Sequence, residues 1–306
     1  MPGYRKEECP HVPGDMPFAF VDVFAERPLE GNPLVVVPDA DHLDDQQMRS
    51  VAREFNQSET TFLVRPTAAA DWRLRSFTPA GVEVLGAGHN AMGAWLWLAH
   101  AGRLPADERQ FVQQIGPDLL SVEVDRDPGT ATVVTMRQGS PVFGPVLEDR
   151  ESLAGALGLV AADLLDEPAQ VVSTGAGHLL VPLRSRAEVD RASPDPRRLS
   201  ALLRTVTDEG CYVYSRDPHN ATGESVAYAR FFNPTVGIAE DPATGTAAGP
   251  LAARLVQEGR LQPGVAAVIE QGYRLGRPSH LRVSVADGTV RVSGAGVIVA
   301  TGVLHL

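Results

Sequence analysis

Apolar and polar residues repeat in two periods along this chain, and the changes of period mark its elements. The run Phe18-Ala19-Phe20-Val21-Asp22-Val23-Phe24 is aromatic and β-branched and predicts a strand. Gly31-Asn32-Pro33 marks a turn, and 34–37 is a short buried strand stopped by Pro38. Asp44 or Asp45 can cap a helix to Phe55, because Met48, Val51, Ala52 and Phe55 share one face. Strands are predicted over 60–64 and 71–77. A bend at Gly86-Ala87-Gly88 then opens an apolar helix from about residue 90 to 100. Strands over 111–115, 119–124 and 130–136 complete the first half.

The second half reads in the same style. Helices are predicted over 153–158, within 196–204, and from Gly245 to about 258. Strands are predicted over 170–173, 178–183, 211–215, 227–232, 265–271, 280–285 and 289–299. Each half holds one conspicuous apolar helix among many strands, which predicts an α+β fold with sheets curled around a central helix.

The two halves also echo each other in sequence. FTPAGVEVLGAGHNAMGA at 77–94 aligns with FNPTVGIAEDPATGTAAG at 232–249. Phe77 and Pro79 precede Phe232 and Pro234 by 155 positions, Gly81 precedes Gly237 by 156, and Gly88 precedes Gly245 by 157. Both copies run strand, F-x-P turn, glycine-rich bend, small-residue helix. Two such halves facing each other bring two helix N-termini to one cleft, where unpaired N–H groups hold carboxylates.

Composition narrows the class. The 306 residues carry a net charge of −11 and no basic stripe, which argues against a nucleic-acid partner. No apolar run is long enough to cross a membrane; the longest, 91–99, is about half a crossing. Residues 1–17 lack the apolar core of a signal peptide and read as a flexible lead-in. Cys9 and Cys211 make neither a disulfide framework nor a metal spacing, which suits a cytoplasmic protein. There is no Walker loop, no convincing G-x-G-x-x-G and no metal-ligand cluster, so the expectation is chemistry without metal or cofactor.

Three residues stand out for chemistry. Glu59, in Asn56-Gln57-Ser58-Glu59-Thr60-Thr61, sits where a helix hands over to a strand; the alternative is a solvated turn glutamate. His89 follows Gly88 at a predicted helix start and can exchange protons with a bound anion; the alternative is a capping or surface histidine. Asp241 stands in Glu240-Asp241-Pro242-Ala243-Thr244-Gly245-Thr246, whose turn and anion-binding features suggest a ligand loop; the alternative is a helix N-cap. His178, after a second Gly-Ala-Gly, is a weaker candidate. Arg75 and Arg230, each just before an F-x-P turn, read as structural or surface charges.

At these residues the chain resembles the PhzF-like family of phenazine-biosynthesis isomerases, within the diaminopimelate-epimerase-like fold. The resemblance rests on FVDVFAERPLEGNPLVVV (20–37), NQSETTFL (56–63), RSFTPAGVEVLGAGHNAMG (75–93), RFFNPTVGIAEDPATGTAAGPL (230–251) and EQGYRLGRPSHLRV (270–283). It implies two pseudo-symmetric domains, each a curled, mostly antiparallel sheet around a central helix. We assign 18–136 to the first domain, completed by a last strand near 297–306, and 137–296 to the second. It further implies a cofactor-free proton shift in a small unsaturated cyclic amino or carboxylic acid, like that of trans-2,3-dihydro-3-hydroxyanthranilate isomerase. The family's acid/base glutamate, histidine and aspartate map to Glu59, His89 and Asp241. Ser58, Gly86, Gly88, Asn90, Gly245 and Thr246 map around the small-molecule carboxylate. The resemblance implies a homodimer. Related racemases use two cysteines in Cys-Gly-rich motifs, and Cys9 and Cys211 lie outside both motifs here.

The chain departs from the family pattern at three positions. Gly86 stands where a phenyl ring is common, Asn90 where a proline is, and Thr246 where serine is. Two alternatives therefore stay open: a related isomerase acting on another precursor, such as a pyrroline-type amino acid, and a non-catalytic binding protein on the same scaffold.

Overall fold

The computed structural model describes residues 15–127, 129–207, 209–221 and 223–306; the expectations placed on residues 1–14, Cys9 among them, lie outside these. The first half contributes β1 (Asp15–Val23), β2 (Asn32–Val37), α1 (Asp45–Phe55), β3 (Thr60–Val64), β4 (Trp72–Phe77), β5 (Glu83–Val84), α2 (His89–His100), β6 (Gln110–Ile115), β7 (Asp118–Asp125) and β8 (Val133–Gln138). Then come β9 (Val142–Leu147), α3 (Arg150–Ala156), β10 (Ala169–Ser173), β11 (Gly177–Pro182), α4 (Arg186–Arg191), α5 (Pro196–Leu203), β12 (Cys211–Ser215) and β13 (Ser225–Asn233). β14 (Ile238–Asp241), α6 (Gly245–Gln257), β15 (Ala267–Gln271), β16 (Ser279–Ala286), β17 (Thr289–Gly294) and β18 (Gly296–His305) finish the chain.

Strand pairing runs β18-β1-β2-β3-β4-β6-β7-β8 and continues β17-β16-β15-β13-β12-β11-β10-β9, with β5 beside β4 and β14 beside β13. Read from either end, the order is the same once each strand is exchanged for its counterpart in the other half. Even the parallel pairs match: β2–β3 and β4–β6 in one half, β11–β12 and β13–β15 in the other. The halves join where β8 and β17 pair antiparallel. The result is an α+β fold of two pseudo-symmetric halves in one open, mixed sheet.

Each half curls around its apolar helix. α2 packs on β1, β2, β3 and β8, and α6 on β10, β11, β16 and β17. Both helices approach their sheets at a glycine. A Cβ on Gly93 would overlap Leu34 and Val23, and one on Gly249 would overlap Gln138. The two helices share one buried core that includes Trp95, Leu98, Leu251 and Leu255. Separate outer cores lie under α1, around Met48, Phe62 and Phe77, and under α3 to α5, around Leu153, Leu199 and Tyr228. No helix among the described residues is long and apolar enough to cross a membrane.

Local signals placed most elements. α1 starts at Asp44, whose side chain accepts from the Gln47 amide while the Gln47 side chain reaches back, a capping box. The strand expected over 289–299 is two. Gly294 and Gly296 press against Phe24 and Asp22, the Phe24 N–H donates to Ala295 O, and the chain turns there from β17 to β18. β18 then pairs with β1. Strand β1 begins at Asp15 opposite His305, with Met16 buried, so residues 15–17 belong to the sheet rather than to a lead-in. The sequence reading missed β9, whose Gly144 and Pro145 disguise it; it ends the strand order, an edge position where proline is tolerated. It also missed α4 and the short β5 and β14.

Candidate active site

Glu59, His89 and Asp241 come together where the starts of α2 and α6 meet. Glu59 occupies the single position between the turn after α1 and the first residue of β3. Its side chain is 18% exposed, and Oε2 is buried without a hydrogen-bond partner in the protein. Burial pushes its pKa from the ordinary carboxyl range up to about 8, and the nearby charge of Asp241 pushes the same way. A buried carboxyl oxygen without a partner is costly, and such groups cluster at functional sites.

His89 is the first residue of α2, after Gly88, which makes no side-chain cap. Its Nδ1 lies 3.6 Å from Glu59 Oε2, and its Nε2 lies 3.3 Å from Ser58 Oγ. The first distance is contact without a formed hydrogen bond. Burial pulls the imidazole pKa down to about 4, so the ring is neutral near pH 7. Glu59 and His89 therefore face each other as an uncharged acid and an uncharged base, one proton transfer apart.

Asp241 ends β14 and brings the other half to the cluster. Its Oδ1 accepts from Asn32 Nδ2 at 2.9 Å, and its Oδ2 accepts from the Thr244 hydroxyl. These donors hold the pKa down while burial raises it; burial wins and the value is about 6. Asn32 Nδ2 also donates to Ala243 O at 2.9 Å, which fixes the first strand turn to the loop before α6. Gln271 supports this loop from behind: its Nε2 donates to Asp241 O and to Thr244 Oγ1, and its Oε1 accepts from Thr244 N and Tyr212 OH.

Both helix starts offer first-turn N–H groups without intrahelical partners. The N-cap amides are already committed: Gly88 N–H donates to Asn90 Oδ1 at 2.7 Å, and Thr244 N–H to Gln271 Oε1 at 3.2 Å. That leaves the next amides, on His89, Asn90, Gly245 and Thr246, without intrahelical partners. Asn90 is 1% exposed, and its Nδ2 donates to Gly86 O and Ser76 Oγ. Its side chain therefore ties the loop 86–90 together rather than reaching outward. Gly86 is exposed, with open space where a side chain would project. Thr246 Oγ1 lies 3.2 Å from His178 Nε2.

Sequence reasoning missed Asn32, Thr244, Gln271 and Tyr212. Asn32 looked like a turn residue, and Gln271 is the last residue of β15, with no local pattern to mark it. Cys211 is buried in the outer core of the second half, where burial pushes its thiol up to about 12, so it supplies no thiolate to the cluster. A cavity of about 690 Å³ lies elsewhere, lined by Phe24, Glu26, Glu224, His280 and Arg282. Its Glu224 is tied to Arg282, whereas Glu59 Oε2 has no hydrogen-bond partner and lies beside His89.

A neutral histidine beside one raised carboxyl, with a second raised carboxyl nearby from the other half, is an arrangement able to accept and release protons. The chain belongs to the phenazine biosynthesis-like protein family, whose sequence model matches residues 21–302. It is 35% identical to the trans-2,3-dihydro-3-hydroxyanthranilate isomerase of Pseudomonas chlororaphis, covering 94% of this chain and 99% of the relative. It is 34% identical to the uncharacterized isomerase YddE of Escherichia coli strain K12, covering 91% and 94%. The crystal structure of the phenazine biosynthesis protein, PhzF family, of Bacillus anthracis superposes with a TM-score of 0.87 at 24% identity, over 95% of this chain and 99% of that one. The chain is thus an isomerase of this family.

Proposed function

We propose that the protein shifts a proton, and with it a double bond, within a small unsaturated cyclic amino or carboxylic acid similar to trans-2,3-dihydro-3-hydroxyanthranilate. The observation that carries this reading is the Glu59 carboxyl, raised to about 8 and unpartnered at Oε2, with neutral His89 at 3.6 Å. In its ionised form Glu59 takes a proton from an activated ring carbon and returns one elsewhere on the π-system. A pKa near the working pH lets one group do both. His89 and Asp241 steer the hydroxyl or amine and share protons with it. Ser58 orients His89. The amides of Gly245 and Thr246 and the start of α2 after Gly88 hold the carboxylate at two helix N-termini. Asn90 shapes the loop that carries Gly86.

The proposal extends to a cytoplasmic homodimer serving secondary metabolism of the phenazine type. Support for the cytoplasm is the scarcity of cysteine with Cys211 free. Support for the dimer and the pathway is the family resemblance. The test is incubation with trans-2,3-dihydro-3-hydroxyanthranilate in D₂O. Turnover with deuterium entering the product is expected. Absence of both turnover and exchange removes this substrate.

A second reading keeps the chemistry and changes the substrate. Gly86, standing where the family commonly carries a phenyl ring, favours it. If the native substrate fills the place of that ring, Gly86→Phe should abolish its turnover while thermal unfolding stays unchanged. Undiminished turnover would show that position 86 does not shape the pocket.

A further inference from the structure

Resting on the carboxylate-holding role proposed for the start of α6, we infer that His178 is a positioning residue that turns the Thr246 hydroxyl into a committed hydrogen-bond donor for an anionic substrate group.

His178 is the second residue of β11 and is 2% exposed. Its Nδ1 lies 3.2 Å from the backbone N of Gly210. A backbone N–H only donates, so Nδ1 must accept and carries no proton. Burial keeps the ring neutral, with its pKa pulled down to about 4. The single ring proton therefore resides on Nε2. Nε2 lies 3.2 Å from Thr246 Oγ1, so the ring donates and the hydroxyl oxygen accepts. The hydroxyl keeps its own hydrogen for another acceptor.

The surroundings fix this arrangement. Phe231 meets the imidazole edge-on, with centroids 5.0 Å apart. Gly210 has no side chain, and a Cβ there would strike the Phe231 ring, so only glycine brings its N–H to the histidine. Thr246 is the second residue of α6, in the turn whose amides lack intrahelical partners. An acceptor-only group arriving there meets a hydroxyl already polarised to donate, and hydrogen bonds to charged acceptors are the stronger kind. Without the Nε2–H, the hydroxyl is free to rotate and present its oxygen instead.

The experiment has two arms. The first is ¹⁵N–¹H correlation spectroscopy on histidine-labelled protein, with the His178 signal identified by its absence from His178→Gln. The expected signature is the neutral Nε2–H tautomer, unchanged from pH 5.5 to 8.5. An Nδ1–H tautomer, or titration in that range, overturns the inference. The second arm measures binding of anthranilate and of uncharged anthranilamide by calorimetry. His178→Asn can still accept from Gly210 but is too short to reach Thr246. It should weaken anthranilate about tenfold and anthranilamide by less than about twofold. The His178→Gln amide reaches Thr246 and should restore most of the anthranilate affinity. Equal binding by wild type and His178→Asn, or equal losses for both ligands, overturns the inference. A wild type that prefers anthranilamide strikes the carboxylate reading itself, and the tautomer then decides the relay alone.

Discussion

Arg75 and Arg230 occupy matching places in the two halves. Arg75 donates from Nε and Nη2 to the two carboxylate oxygens of Glu83 at 2.8 Å each, and Arg230 does the same to Glu240 at 2.8 and 2.7 Å. Each guanidinium also lies over the following phenyl ring, Phe77 at 5.1 Å and Phe232 at 4.9 Å. Gly81 and Gly237 turn the two hairpins with φ of 80° and 84°. The devices that shape the backbone are thus duplicated. The groups at the site are not. In the strand ladder Thr60 faces Phe77 as Cys211 faces Phe232, so Glu59 corresponds to Gly210. Ser76 faces Val84 as Phe231 faces Asp241, so Asp241 corresponds to Val84. The helix caps Gly88 and Thr244 correspond, so His89 matches Gly245. One half brings the glutamate and histidine, the other the aspartate. A junction between halves suits a proton moved between two different places on one substrate, because the groups on its two sides differ.

That asymmetry can be broken directly. Glu59→Gln keeps volume and removes the titrating group; turnover should fall about 10²–10⁴-fold, with solvent deuterium exchange lost in parallel. Binding should change far less if, as proposed, helix-start amides hold the carboxylate. A variant that exchanges deuterium at the wild-type rate would pass the proton role to His89 or Asp241.

The duplicated clamps should differ in strength. Arg230 is nearly buried and also donates to the carbonyls of Val189, Asp190 and Ala192, whereas Arg75 instead reaches exposed Asp45. Arg230→Ala leaves Glu240 unpaired in the interior and should cost about 3–5 kcal/mol in urea unfolding. Arg75→Ala should cost about 1.5–3 kcal/mol. Equal losses would mean that the extra carbonyl contacts contribute nothing.

The site should also leave a mark on stability. Glu59 and Asp241 bind protons more tightly folded than unfolded, their pKa values rising from 4.5 to about 8 and from 3.8 to about 6. Their contribution is fully present below about pH 4 and is lost as pH rises, through about 6 for Asp241 and about 8 for Glu59. Buried His89 and His178, pulled down from 6.5 to about 4, act in the opposite sense below pH 6.5, so the clean window lies above it. Wild type should unfold at lower urea at pH 8.5 than at pH 6.5, and Glu59→Gln should narrow that gap. A gap that stays the same would show that Glu59 is not held protonated by burial.

Sequence alone determined most of the scaffold. The capping box at Asp44, the apolar runs of α2 and α6 and the F-x-P echo are local signals, readable because periodicity and turn chemistry act over a few residues. The same signals singled out Glu59, His89 and Asp241, although each also fitted a bland turn or cap. Only tertiary structure decided what those residues are. The Asn32–Asp241 bond spans 209 positions, and the His178–Thr246 contact spans 68. The sequence echo matched Gly88 to Gly245, whereas the helix caps match Gly88 to Thr244, one residue earlier. The raised carboxyls and the neutral imidazoles depend on which groups lose water together and which donors reach them. That is settled by strands and helix starts meeting across the molecule, and no short window of sequence contains it.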